Sequence, residues 1–225
     1  MTAGSGMFGT KGPLITHLET GHGAKGEIGD LRNDLLTVLA PLASITVEEF
    51  TAPPAAAPAG LHAATASSVA VQTLLSAGLI GAGLTALALL PRLVTFTTAG
   101  ATPANAPATA LITGTDVRDA VQSETVAIAN TAATVSTVKA YKTITSIVYP
   151  AGSGAGATIS VGTGPAWALS LPPKSRAGAC LPVREVMDGA IPTAGLIDAV
   201  RGVYTPNTAP NASHNYAVYY EYVGL

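Results

Sequence analysis

The chain of 225 residues holds one cysteine, Cys180, so no internal disulfide can form and a disulfide-built scaffold is excluded. Charge is also scarce, at 11% of residues with a formal net charge of -2 and a pI near 6.0. No basic cluster stands out, which removes the electrostatic footprint that phosphate-backbone binding needs; nucleic acid is not an expected partner. Aromatic residues amount to 5%. The first 26 residues hold seven glycines and no apolar run of the kind an export signal requires. What the chain does have is apolar surface, with 48% hydrophobic residues. That supply can offset ordering entropy, and a compact chain of this length buries roughly 70–75% of its unfolded surface, enough for one domain with an appendage.

The few charges are unevenly placed. Residues 1–49 carry Lys11, Glu19, Lys25, Glu27, Asp30, Arg32, Asp34, Glu48 and Glu49, whereas residues 50–115 carry only Arg92. The stretch Ser67–Leu90 has no charge at all and as one helix would rise roughly 36 Å, enough to cross a bilayer core. Gln72, Thr73, Ser76 and Thr85, the glycines at 78, 81 and 83, and the missing basic flank argue against a membrane span. The expected organisation is an extended docking arm over 1–26, a short amphipathic helix and a Pro/Ala-rich linker over 27–60, and a β-sandwich domain over 61–225 that includes the uncharged segment 67–90. Phe8, Leu14 and Ile15 give the glycine-rich arm apolar side chains to dock on another subunit. Ile28, Leu31, Leu35, Val38, Leu39 and Leu42 recur at helical spacing, and TAPPAAAPAG over 51–60 has a stiff linker's composition.

From residue 93 onward, short runs of Thr, Val, Ile and Ala alternate with Gly, Pro, Asn and Asp. Strands are expected at 93–98, 109–115, 124–130, 142–149, 158–162, 167–171, 182–187, 196–203 and 215–223. TALITGTD and SETVAIAN read as a hairpin around Asp116 to Ala120, and KTITSIVYP and ATISVG read as a second hairpin across AGSGAG. Short strands without regularly alternating helices predict a mainly β protein, an antiparallel sandwich with an extended N-terminal arm and a short helix.

Candidate chemistry is thin. His17, Glu19 and His22 in HLETGH lack the four-residue histidine spacing of a helical metal site, and GSGMFGTKG lacks the lysine placement and the strand and helix context of a phosphate loop. GSGAG at 152–156 has the wrong spacing for a dinucleotide fingerprint. Cys180 has no histidine near it in sequence. No catalytic, metal or cofactor residue is assigned. Near the C-terminus Tyr216, Tyr220 and Tyr222 fall on one face of a strand and Tyr219 on the other, which suits either an aromatic packing ladder or an interface.

PRLVTFTTAGATPANAPATALITGTDV, SETVAIANTA and VKAYKTITSIVYPAGSGAGATISVGTG, together with GPLITHLETGHGAKGEIGDLRNDLL, resemble the structural proteins of tailed-bacteriophage heads, of the capsid decoration or cement type. The resemblance covers most of the chain. It implies a protein that is not an enzyme and has no cofactor, located on the capsid exterior of the virion, where it binds the major capsid protein and assembles with itself, commonly as a homotrimer. It transfers no individual site residue. On this reading Phe8, Leu14, Ile15, Leu79, Leu84, Tyr216, Tyr220 and Tyr222 are expected at interfaces. A tail-tube or neck protein and a bacterial surface adhesin-like β domain are the alternatives.

Overall fold

A computed structural model describes residues 45–174, 179–180, 182 and 184–222, and of Ala179 and Cys180 only the backbone. The expected arm, the helix within 27–43, the HLETGH and GSGMFGTKG motifs and the Cys180 thiol lie outside what is described. The described chain is mainly β, with strands numbered in chain order. One sheet of seven strands runs β10 (Ala179–Cys180), β12 (Leu196–Asp198), β13 (Val203–Thr205), β9 (Ala157–Ala168), β4 (Arg92–Gly100), β7 (Ala133–Tyr141), with β2 (Ala57–Ala66) also paired to β9. A second sheet runs β3 (Gln72–Leu75), β8 (Thr143–Tyr149), β5 (Thr109–Thr115), β6 (Val121–Ala127), and a third runs β1 (Ile45–Phe50), β14 (Tyr216–Glu221), β11 (Arg184–Met187). The ladders of the seven- and four-stranded sheets and the β11–β14 ladder are antiparallel.

The first two sheets face each other. Val94 and Phe96 of β4 and Ile159 and Val161 of β9 share one buried cluster with Ala110 and Ile112 of β5 and Ile144 and Ile147 of β8. Phe96 meets Tyr149 edge-on at 6.3 Å across this layer. Alternation produces it: successive strand residues point to opposite faces, and the buried positions of β5 and β8 carry the aliphatics. One helix, α1 (Gly81–Leu89), covers one side, with Leu87 fully buried in that core. It lies against β2 so closely that a Cβ on Gly83 would come 2.0 Å from the carbonyl oxygen of Gly60, so only glycine permits the approach.

A second core lies further along β9. Trp167, the sole tryptophan, sits with ring centroids 5.3 Å from Tyr204, 5.6 Å from Tyr216 and 5.1 Å from Phe50. Val218, Tyr220, Ile197 and Leu169 complete it. One face of the third sheet thus packs on the C-terminal half of the long central strand.

The mainly β antiparallel expectation holds, and β4, β5, β8 and β14 fall close to their expected bounds. Four readings are corrected. The expected 158–162 and 167–171 strands are one continuous β9, and 196–203 is two short strands joined by a turn at 199–202. The supposed hairpin over AGSGAG does not form: β8 belongs to the four-stranded sheet and β9 to the seven-stranded one, so the loop crosses between sheets. It is tied down there by Gly152 N–H to the Ser68 carbonyl at 2.7 Å and by Asn105 Nδ2 to the Ala155 carbonyl at 2.5 Å. Finally, the second half of the expected linker is β2, whose residues from Ala57 pair with β9 through two register shifts. The uncharged segment 67–90 divides into β3, a 3-10 turn at Ser76–Gly78 and α1, and no described helix is long and apolar enough to cross a membrane.

Candidate interaction surface

The outward face of the four-stranded sheet follows from register. Thr73, Val148, Leu111 and Thr125 lie opposite one another in one row across β3, β8, β5 and β6, and Leu75, Ser146, Thr113 and Ser123 form the next. Beyond a bulge at Thr113/Gly114, Thr143, Thr115 and Val121 make a third row. A Cβ on Gly114 would sit 2.0 Å from the Thr143 carbonyl oxygen, so glycine is what lets the two strands close up after the bulge. None of these eleven side chains is charged, and Leu111, Leu75 and Val121 are 42%, 59% and 83% exposed. Thr115 and Thr143 hydroxyls bond each other at 2.8 Å, fixing their side chains on this face. The outer face of the three-stranded sheet differs: there Arg184 lies over the Tyr219 ring, 5.8 Å from its centroid, and Glu221 pairs with Lys174.

Threonine and β-branched residues favour any pleated surface, so strand propensity accounts for part of this composition. The missing lysine and glutamate follow in part from the same propensity and from a chain in which 11% of residues are charged. Depletion of charge is the compositional mark of an interface centre, because an uncharged hydroxyl or methyl costs far less to desolvate than an ion.

The two edges of the sandwich are treated differently. At one, the Glu124 carboxylate of β6 accepts the Val138 N–H at 2.7 Å and the Lys139 N–H at 2.9 Å, while Gln122 Nε2 donates to the Ala140 carbonyl at 2.6 Å. Lys139 Nζ returns to the Ser123 carbonyl at 2.9 Å. Side chains of one sheet thereby occupy edge groups of β7 in the other and deny them to a foreign strand. At the opposite end of the four-stranded sheet, β3 is the terminal strand, preceded by Val69 and Val71 at 72% and 66% exposure.

The expected interface residues are distributed otherwise. Leu79 is 7% exposed and, with the partly buried Leu84, packs into the chain's own aliphatic core. Tyr216 and Tyr220 are 1% exposed and belong to the Trp167 cluster, with Tyr222 partly buried against it. Leu79, Tyr216 and Tyr220 are therefore corrected to core roles, while Leu84 and Tyr222 pack against the same cores with part of their surface outside; the tyrosines do alternate as expected, but the face they share is turned inward. Phe8, Leu14 and Ile15 lie outside the described residues. The outward sheet face was missed, although its signal is present in the odd positions of TALITGT, which carry only Thr and Leu.

Several polar side chains elsewhere are bonded within the chain. Glu48 accepts the Ser170 N–H and hydroxyl, each at 2.8 Å, and the Tyr220 hydroxyl, whose pKa burial raises first and this carboxylate next. Glu185, 2% exposed, accepts the Gly195 N–H at 2.6 Å. Asp188, held at φ 51°, accepts the Asn215 N–H at 2.8 Å and lies 2.6 Å from His214 Nδ1. The Asn215 hydrogen bond, then the histidine, holds this carboxyl below its usual value. Among the described residues no group of three His, Cys, Asp or Glu could hold a metal ion. No family model, curated protein or solved structure matches the chain.

Proposed function

We propose that this protein is a non-enzymatic structural component of a tailed-phage virion that binds the outer surface of the capsid shell and reinforces it. The observation that carries the reading is the uncharged outward face of β3, β8, β5 and β6, added to the resemblance of the strand phrases to head decoration proteins. A sheet face without charge can lie on a broad protein surface. Its hydroxyls and aliphatics cost little to dehydrate, and repetition over a lattice multiplies a modest contact into a durable one. The arm over 1–26, through Phe8, Leu14 and Ile15, would add contact to the shell or to a sister copy in a homotrimer.

The test is cosedimentation with shells purified from the phage that encodes the chain. Wild-type protein is expected to bind at near-equimolar ratio to the major capsid protein, and the Leu111→Lys/Thr113→Lys variant to bind at least tenfold more weakly while keeping its β-sheet circular dichroism, since the face would then bury two unpaired charges. Copies confined to a few per particle would reject shell decoration and favour a tail or neck position. Undiminished binding by the double variant would acquit this face.

A further inference from the structure

Between α1, β2 and the central sheet lies a pocket of about 370 Å³, with Ile80 at the helix N-cap, Ala86 and Leu87 from the helix, Ala57 from β2, Thr163 from β9 and Arg92 from β4 in its wall. Arg92 is its one charged residue and is 2% exposed. The guanidinium donates from Nη1 to the Gly164 carbonyl at 3.3 Å and from Nη2 to the Pro54 carbonyl at 2.5 Å, and its Cζ lies 5.8 Å from the Trp167 ring centroid. Nε has no hydrogen-bond partner, and Arg92 makes no ion pair among the described residues. Burial brings its pKa down to about 10, so the group still carries a full charge at neutral pH.

A desolvated cation beside an apolar cavity is an unbalanced arrangement. Two carbonyl dipoles and an aromatic face offset part of the charge, whereas buried ions in proteins generally are held by a counter-ion. The place is built, not incidental: both neighbours of β4 shift register by two residues at the strand's start, between Leu93 and Thr95 on the β7 side and between Arg92 and Val94 on the β9 side. The Thr137 hydroxyl fills the gap by accepting the Val94 N–H at 3.0 Å. The bulged region thereby frees the Gly164 carbonyl to accept from the guanidinium at the pocket wall.

We infer that this pocket binds a small apolar carboxylate, its hydrocarbon body between α1 and β2 and its carboxylate completing the hydrogen-bond and charge requirements of Arg92. Apolar walls with one convergent polar group, at this volume, are what a compact amphiphilic anion needs. The inference stands independently of shell binding.

Octanoate is the probe, with octanol as its uncharged counterpart, and the fluorescence of the single tryptophan is the readout because the guanidinium already lies against that ring. Octanoate is expected to perturb Trp167 saturably and to bind roughly tenfold or more tightly than octanol, the ratio a charge-assisted contact provides. Arg92→Met should abolish the preference. Because that variant strands two carbonyls and risks misfolding, Ala86→Phe, which obstructs the cavity from the helix and leaves Arg92 in place, should also lose octanoate binding with its circular dichroism unchanged. Equal binding of octanoate and octanol, binding of neither, or undiminished octanoate binding by Ala86→Phe would overturn the assignment. So would an Arg92→Met effect seen only in sedimentation, since the anion would then come from another chain.

Discussion

The aliphatic core between the seven- and four-stranded sheets and the aromatic core beneath the three-stranded sheet share β9 but cohere by different means. In the first, Val94 and Phe96 of β4, Ile112 of β5, Ile144 and Ile147 of β8 and Ile159 and Val161 of β9 share the packing among four strands. In the second, Trp167 touches Tyr204, Tyr216 and Phe50 at once, and the carboxylates of the buried Glu185 and the half-buried Glu48 are fastened to backbone N–H groups around it. Distributed packing tolerates local loss, because each removed methyl is a small fraction of the whole. A hub does not.

The sharpest test of that contrast is Trp167→Ala. It should cost about 3–5 kcal/mol by opening a cavity where three rings meet, measured by urea denaturation followed by circular dichroism. A loss under 1 kcal/mol would dissolve the distinction. Glu124→Ala comes next: it removes a carboxylate from two β7 N–H groups at an exposed edge, for about 1–2 kcal/mol, and should promote self-association on light scattering, because the edge it guarded is then free to pair. Ile112→Val in the aliphatic core should cost roughly 0.5–1.5 kcal/mol, and combined with Trp167→Ala the two should add within about 0.5 kcal/mol. Stronger coupling would mean that β9 makes the cores one cooperative body.

The smallest effect belongs to acid. Asp188 has a folded pKa below its usual value of 3.8, so it binds protons less readily folded than unfolded; its stabilisation is present above that usual value and is lost as pH falls through the lowered one. Thermal melts from pH 5 to 2.5 should show a shallower decline for Asp188→Asn than for wild type. Identical slopes would remove the aspartate from the balance.

These two cores also differ in how far they could be read in advance. The β5–β6 hairpin was legible because TALITGT alternates and Asp116 supplies the turn, its carboxylate accepting the Arg118 and Ala120 N–H groups at 2.8 and 2.9 Å. β2 was not, since Pro58 and its alanines have poor strand propensity and only the pairing with β9 makes them a strand. The aromatic core draws on strands of three to six residues besides β9, too short for any period to show. Leu79 and Leu84 belong to an uncharged run that in sequence looks too large for one chain to hide, yet the aliphatic core buries Leu79 and covers part of Leu84. What stays outside is an uncharged sheet face whose side chains alternate with core residues along the same strands. Tyr216 and Tyr220 show the same limit, because alternation places them together without saying which way the face turns.

The neighbouring positions of β1 and β14 have a mechanical consequence. The chain enters and leaves the described domain through adjacent strands of one small sheet, and Glu48 of β1 is bonded to the Tyr220 hydroxyl of β14. Tension between residues before 45 and after 222 is therefore borne first by that ladder and its carboxylate latch, while the sandwich stays unloaded until they part. Optical-tweezer pulling across residues 45 and 222 should register a small first extension that disappears in Glu48→Ala, followed by one large rupture; a single rupture in both proteins would assign the load to the whole fold.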